Sequence, residues 1–163
     1  MSRQPLGGAV TPLGHLAVSV LLARARGYTD RAFGRCLVGA VGPDLVDKPL
    51  VALGVVPVAH SVGHSVVVLG LAAGVIVALP RLRGWFPLIV GWAGHVAADL
   101  IVAYPKFLVN YAWPLLAPRP TPDDPVVAYW VEYALGPLGV LEAAVVVAGL
   151  VAARRIRHRT TAE

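Results

Sequence analysis

Residues 86–104 read FPLIVGWAGHVAADLIVAY, an apolar stretch that carries one histidine, His95, and one aspartate, Asp99. A bilayer core about 30 Å thick requires about 20 mostly apolar helical residues, and this stretch supplies them. An ionisable side chain inside such a helix is costly, so it needs a partner and is a candidate for function. The stretch therefore predicts a transmembrane helix that contains part of a polar site.

Other stretches along the chain have the same apolar character. We predict an all-α fold, a polytopic membrane bundle of four to five transmembrane helices that forms a single integral membrane domain over residues 1–163. Residues 49–59 are apolar but contain two prolines, which favours an interfacial or re-entrant loop. The predicted helices span residues 8–24, 30–43, 60–80, 86–104 and 126–153, with a proline-rich external loop at 117–125 and a basic cytoplasmic tail at 154–163.

The composition favours a lipid environment. Hydrophobic residues make up 57% of the chain and charged residues only 14%, against about 25% charged residues in soluble domains. A small soluble protein cannot bury so many apolar side chains. The net charge of +5 lies in arginines that flank the apolar stretches, so nucleic acid is not an expected partner. The single cysteine, Cys36, excludes an intramolecular disulfide and a multi-cysteine zinc site.

The same arginines predict an orientation in the membrane. If all five segments cross with the N-terminus outside, ten arginines lie on the cytoplasmic side and four basic residues lie outside. Membrane proteins keep their Lys and Arg in cytoplasmic loops. We therefore expect a multi-pass protein of the inner or plasma membrane, with membrane lipid as its surroundings, its N-terminus outside and its C-terminus in the cytoplasm.

A set of histidines and aspartates interrupts these apolar stretches. Two pairs, His60 with His64 and His95 with Asp99, are four residues apart, so each pair would lie on one helix face. Imidazole and carboxylate groups bind zinc, manganese or iron, and facing helices of a bundle can bring such pairs together. The predicted topology places the whole set near the outer face: His15, Asp44, Asp47, His60, His64, His95 and Asp99.

Other interpretations of these residues stay open at this point. The set could form a metal-free hydrogen-bond network or a proton relay. Asp44 could cap a turn after Gly42-Pro43, and Asp47 could pair with Lys48 at the surface. His60 with Ser61 could cap a helix.

The ordered polar motifs resemble a known family, the membrane-bound metal-dependent hydrolases described as LexA-binding, inner-membrane-associated hydrolases. The resemblance covers residues 11–116 and implies a distant similarity to zinc-dependent phospholipase C. One departure concerns the third motif: many members have two histidines five residues apart, whereas His60 and His64 are four apart, so either could be the family histidine. The motifs are Thr11-Pro-Leu-Gly-His15, Pro43-Asp44-Leu-Val-Asp47, His64-Ser65, His95-Val-Ala-Ala-Asp99 and Trp113-Pro114.

The resemblance implies hydrolysis of a phosphoester or a lipid-like substrate by one or two divalent ions, with zinc as the first choice and manganese or iron as alternatives. Asp47 and His60 are expected to be catalytic residues or to support the ligands. A non-enzymatic metal-binding, transport or partner protein with a buried His/Asp relay is the alternative. The expected metal ligands are His15, Asp44, His64, His95 and Asp99.

Overall fold

The computed structural model describes residues 10–103, 105–119 and 126–160, and every regular element within these ranges is helical. This confirms the all-α fold class. Two 3-10 helices, Pro80–Trp85 and Pro105–Ala112, precede and follow the fourth α-helix. The α-helices are α1 Pro12–Ala25, α2 Asp30–Ala52, α3 Val66–Ala78, α4 Phe86–Val102, α5 Val126–Leu135 and α6 Pro137–Thr160.

Helices α1 and α4 begin and end close to the predicted positions. Thr11 caps α1 by accepting a hydrogen bond from the amide of Gly14 at 3.2 Å, and Pro12 occupies the first helical position. Proline suits this position because its missing N–H would have no partner there. The first predicted residues, 8 and 9, lie outside the described ranges. These two helices carry three of the predicted site residues: His15 on α1, and His95 and Asp99 on α4.

Helix α2 is longer than predicted. We expected it to end at Gly42-Pro43 and a loop to occupy residues 49–59, but the helix continues through Pro43 and Pro49 to Ala52. A proline removes one hydrogen bond from a helix, and packing around it can hold the helix together. Pro43 is buried, and a Cβ on Gly63 would lie 2.6 Å from its carbonyl oxygen, so the following loop packs directly on this turn. The extension keeps Asp44 and Asp47 on a helix.

Helix α3 is shorter than predicted. The expected helix at residues 60–80 begins only at Val66, where the Ser65 hydroxyl accepts hydrogen bonds from two amides of the first turn. His60 and His64 therefore lie in the irregular segment 53–65, and the prediction that they share one helix face was wrong. Gly63 between them shows why a helix does not form: it packs on Pro43, and its carbonyl accepts a hydrogen bond from Nε1 of Trp92 at 2.6 Å.

The predicted helix at residues 126–153 is divided into α5 and α6 at Gly136-Pro137. Proline disfavours helical geometry in the residue before it, so one helix ends there and the next begins at Pro137. Part of the predicted basic tail is also helical, since α6 continues to Thr160. Of the predicted loop at 117–125, residues 117–119 have no regular structure, and the remainder lies outside the described ranges.

Helices α2 and α4 cross at unusually close range. A Cβ on Gly91 of α4 would lie 1.8 Å from the Cys36 carbonyl oxygen of α2, and a Cβ on Gly39 would lie 2.0 Å from the Leu88 carbonyl oxygen. Only glycine permits such an approach of two helix backbones, as in the small-residue contacts of membrane helices. This crossing brings the α2 backbone within reach of the α4 side chains.

Two helical stretches, Pro80–Val102 and Pro137–Arg154, are long and apolar enough to cross a membrane. Helices α1 and α3 are apolar but have only 14 and 13 residues. The four or five membrane crossings stay a prediction.

Burial in this protein differs from that of a typical soluble domain, because several charged side chains are buried and many large apolar ones are exposed. The largest fully buried side chains include His64, His95, Asn110, Asp47 and Asp99, whereas many large apolar side chains are exposed on α3 and α6. Soluble proteins bury apolar side chains and expose charged ones. Among the described residues, buried polar groups therefore share the interior with a small apolar core around Ala23, Cys36 and Val90, and much of the exterior is apolar.

Candidate metal centre

The position of His95 follows from the close crossing of α2 and α4. Its Nδ1 atom donates a hydrogen bond to the backbone carbonyl of Ala40 on α2, at 2.6 Å. Asp99, one turn further along α4, lies with Oδ2 3.4 Å from Nε2 of His95. Both side chains are 1% exposed. The sequence prediction that this pair shares one buried helix face holds in the structure.

His64 reaches the same place from the segment 53–65, which folds around the carboxylate of Asp47. That carboxylate accepts hydrogen bonds from the amides of Ser61 and Gly63 at 2.9 and 2.8 Å. It also accepts one from Nδ1 of His64 at 2.7 Å. Both side chains are fully buried. In the absence of a helix, the Asp47 carboxylate therefore orders the loop and fixes the orientation of the His64 ring.

The ring protons of His64 and His95 can be assigned from these contacts. Each Nδ1 atom faces an oxygen acceptor, so each carries a proton there, and in the neutral form of each ring Nε2 has a lone pair. The two Nε2 atoms lie 3.0 Å apart, and each lies 3.4 Å from Oδ2 of Asp99. Three electron-pair donors that face one another repel unless a proton or a metal cation lies among them. The geometry therefore has room at this point for a proton or a metal cation.

Three further side chains surround this point. Nε2 of His15 lies 3.3 Å from Oδ1 of Asp99, and its ring stacks on His95 with centroids 3.6 Å apart. Nε2 of His60 lies 3.9 Å from Oδ2 of Asp99. Oδ1 of Asp44 lies 3.8 Å from Nε2 of His64. All seven predicted site residues therefore come together in one cluster.

The donor atoms form three overlapping groups, each with all its atoms within 4.8 Å of one another. Nitrogen and oxygen donors in such groups could hold a metal ion, and imidazole with carboxylate suits zinc, iron or manganese. Nδ1–H bonds to a carboxylate and to a backbone carbonyl, as on His64 and His95, are the usual way in which proteins orient metal-binding histidines. The groups are His15–His95–Asp99, Asp44–His64–His95 and His60–His64–Asp99.

The cluster is closed on most sides. Five of its members are exposed by 3% or less, whereas the side chains of His60 and Asp44 are 22% and 24% exposed. Asp44 also pairs with Lys48 at 2.8 Å, so the surface ion pair foreseen for Asp47 belongs to Asp44 instead. His60 and Asp44 therefore mark the side on which the cluster reaches the surface.

The histidines of the segment 53–65 differ in protonation. Burial lowers the pKa of His64, but its hydrogen bonds to Asp47 and Asp99 outweigh burial and raise that pKa to about 9. Burial and the neighbouring His64 lower the pKa of His60 to about 4. Without a metal ion, His64 therefore carries a second ring proton, and its positive charge offsets the negative charge of the Asp47 and Asp99 carboxylates. A divalent cation would displace that proton, since metal ligands must be deprotonated.

Two aromatic residues at the site were not identified from the sequence. The ring of Tyr111 lies 5.8 Å from that of His60 and 6.3 Å from that of His64, measured between centroids. Burial, with repulsion from the Asp99 carboxylate, raises the pKa of its phenol. Trp92 holds the loop through its bond to Gly63. Trp92 lies one turn before His95 on the same helix, a spacing that could have suggested a role at the site.

The Asp47→Asn substitution is expected to weaken divalent-metal binding about 10- to 100-fold, the usual cost of losing a partner behind a metal ligand. Asp47 is surrounded by donors, so the amide of Asn would have to donate toward His64 or toward a backbone N–H. In the first case the His64 proton moves to Nε2 and removes its lone pair. Titration of the metal-free protein with zinc measures the effect. Asp30→Asn, the same change at an exposed residue of α2, is the control, and equal affinities would contradict the role of Asp47.

The seven clustered side chains come from α1, α2, α4 and the segment 53–65, and all precede residue 100. Compared with known proteins, the chain matches no protein-family profile, no curated protein and no solved structure. The function is therefore argued from the geometry of this cluster.

Proposed function

We propose that the protein is a membrane-embedded, metal-dependent hydrolase that acts on a lipid-like or phosphoester substrate at the outer membrane face. The observation that carries the proposal is the convergence of the Nε2 lone pairs of His64 and His95 on Oδ2 of Asp99. A proton on Nε2 of His64 would account for the contacts of His64 with His95 and Asp99, but not for the contact between His95 and Asp99. A cation accounts for the whole group of donors and for the two Nδ1 contacts behind them.

The membrane part of the proposal is supported by the many large apolar side chains that are exposed. An apolar exterior of this extent would associate or precipitate in water, whereas lipid solvates it. The arginines support the orientation: Arg35 of α2 lies 4.4 Å from the Trp85 ring centroid and bonds the Gly84 carbonyl. The start of α2 and the start of α4 therefore share one basic end. We propose that this end faces the cytoplasm, with four or five crossings in all.

The residues at the cluster suggest separate tasks. We propose that His15, Asp44, His64, His95 and Asp99 hold one or two ions, with zinc as the first candidate and manganese or iron as alternatives. A bound divalent ion would lower the pKa of water and polarise the scissile bond. Asp47 was expected as a general base, but its oxygens are used by the loop amides and His64, a position that suits orientation better. His60, which is partly exposed at the edge of the cluster, is the better placed proton acceptor.

A cavity beside the cluster supports a substrate with a hydrocarbon part. It has a volume of about 110 Å³ and an almost wholly apolar lining. Its wall includes Ala98, the neighbour of Asp99, and Val10, whose amide donates a hydrogen bond to Asp99 Oδ1 at 3.0 Å. The candidate membrane helices α4 and α6 both line it. An acyl chain in this cavity would place its polar end next to the proposed ions.

Removal and return of the metal tests the hydrolase proposal. Detergent-purified protein is treated with a chelator, reloaded with zinc or manganese, and assayed against phosphoester and lipid-ester substrates. We expect hydrolysis that disappears with the chelator and returns with the metal. Hydrolysis that persists without metal, or metal-loaded protein that cleaves no substrate of either class, would contradict the proposal.

The near closure of the cluster favours one alternative, a non-enzymatic metal-binding or transport protein. A site with five members exposed by 3% or less resembles a structural or transported ion more than an open catalytic one. Reconstitution into liposomes distinguishes the two. A transport protein would carry zinc across the bilayer without cleaving any substrate, and a hydrolase would cleave lipid without metal flux.

A further inference from the structure

Glu142 is a buried carboxylate that lies outside the metal cluster. It sits in the apolar helix α6 and is 8% exposed. Its oxygens accept hydrogen bonds from the amide of Thr11 at 3.1 and 3.3 Å, from the Thr11 hydroxyl and from the Tyr133 hydroxyl. A buried carboxylate is costly unless it is satisfied in this way. Its hydrogen-bond donors therefore lie at the start of α1 and on α5.

The amide next to Thr11 belongs to the metal cluster. Val10 donates its N–H to Oδ1 of Asp99 at 3.0 Å, and Thr11 donates its own to Glu142. Two consecutive amides at the start of α1 are thus held by carboxylates from α4 and α6. The free N–H groups and the positive end of the dipole at a helix N-terminus favour this arrangement.

The Val10 contact decides how Asp99 presents its oxygens. Oδ1 is occupied by Val10 and lies 3.3 Å from His15, so Oδ2 faces His64 and His95. A displaced Val10 would leave Oδ1 with His15 as its remaining contact and would allow the carboxylate more freedom to rotate. We propose that Glu142 is a positioning residue for Asp99, acting through the segment Val10-Thr11. This inference rests on the proposed metal function and assigns a role to α6, none of whose described side chains belongs to the donor groups.

Close packing strengthens the link between α1 and Glu142. A Cβ on Gly14 would lie 2.3 Å from Oε1 of Glu142, so the first turn of α1 lies directly against this carboxylate. Further along the same interface, a Cβ on Gly149 would lie 2.9 Å from Ala17. The two contacts separate two effects. A change at Glu142 removes the acceptor for Thr11, whereas a change at Gly149 presses on α1 at Ala17 and leaves that acceptor in place.

The test compares Glu142→Ala with Gly149→Ala in the full-length protein. Metal-free samples are titrated with zinc for affinity and with cobalt for the visible spectrum of the bound ion. Glu142→Ala is expected to lower the affinity about 10- to 100-fold and to change the cobalt spectrum, because Asp99 is no longer fixed. Gly149→Ala is expected to lower the Tm and to leave affinity and spectrum unchanged. Glu142→Gln, which keeps one acceptor for Thr11, should recover part of the affinity.

The possible outcomes separate this inference from the proposed function. Unchanged affinity and spectrum in a folded Glu142→Ala variant, beside a wild type that binds metal, would overturn the inference alone. An equal loss in Gly149→Ala would also overturn it, since the role would then be packing. A wild type that binds no metal overturns both. If Glu142→Ala does not fold, Tyr133→Phe removes one donor to Glu142, and it should lower affinity by a smaller factor or the inference fails.

Discussion

Replacing both His95 and Asp99 with alanine is expected to remove the bound metal completely. His95 supplies an Nε2 lone pair to two of the three donor groups, and Asp99 supplies a carboxylate oxygen to two. Every group contains at least one of these residues, so none stays intact in the double variant. Elemental analysis of detergent-purified protein gives the result directly: a stoichiometric divalent metal in the wild type and none in the variant.

The control for this experiment is His158→Ala, a histidine substitution near the end of α6 and far along the chain from the cluster residues. It should retain the wild-type metal content. If neither the wild type nor the control contains metal after purification with metal supplied, the cluster is a hydrogen-bond network or proton relay. If the double variant retains its metal, the ion binds elsewhere.

Gly91→Val is expected to destabilise the fold by about 3 kcal/mol or more, at or above the upper end for overpacking, and to abolish metal binding. The new side chain would begin 1.8 Å from the Cys36 carbonyl oxygen, a backbone atom that can move only with α2. Separation of α2 from α4 withdraws the Ala40 carbonyl from Nδ1 of His95. Thermal or denaturant unfolding in detergent measures the stability, and zinc titration measures the site.

Gly74→Ala in α3 is the matched control. A Cβ at Gly74 meets nothing within 4 Å, so this change should leave metal binding intact and stabilise the helix by up to about 1 kcal/mol. An unchanged unfolding midpoint for Gly91→Val would show that α2 and α4 do not cross as closely as described.

The residues of the site could be predicted from the sequence because an ionisable side chain in an apolar helix is costly in free energy unless it has a partner. Histidine and aspartate in apolar stretches must find one another, and all seven such residues do. The pair His95 and Asp99 was predicted with its correct spacing on a helix. His60 and His64 were expected on one helix face, yet they meet through the loop around Asp47, which no helical periodicity describes.

The errors in the fold arise mostly at prolines. Pro43 did not end α2, because tertiary packing on its turn outweighs the lost hydrogen bond, whereas Pro137 did separate α5 from α6. The local sequence is similar in the two cases, Gly-Pro in both, and only the surroundings differ. Helix propensity is a weak guide where packing decides.

The overlap of the three donor groups makes one-ion and two-ion states compete. The group Asp44–His64–His95 uses both central histidines, and each has only one free ring nitrogen. The groups on His15 and on His60 share only Asp99, whose Oδ1 lies near His15 and whose Oδ2 lies near His60. A single ion held by Asp44–His64–His95 would therefore prevent ions from binding to the His15 and His60 groups. Two ions in those groups would in turn prevent binding to Asp44–His64–His95. The number of ions bound per protein should then depend on metal concentration. We expect one ion when metal is scarce, and two ions when metal is in excess.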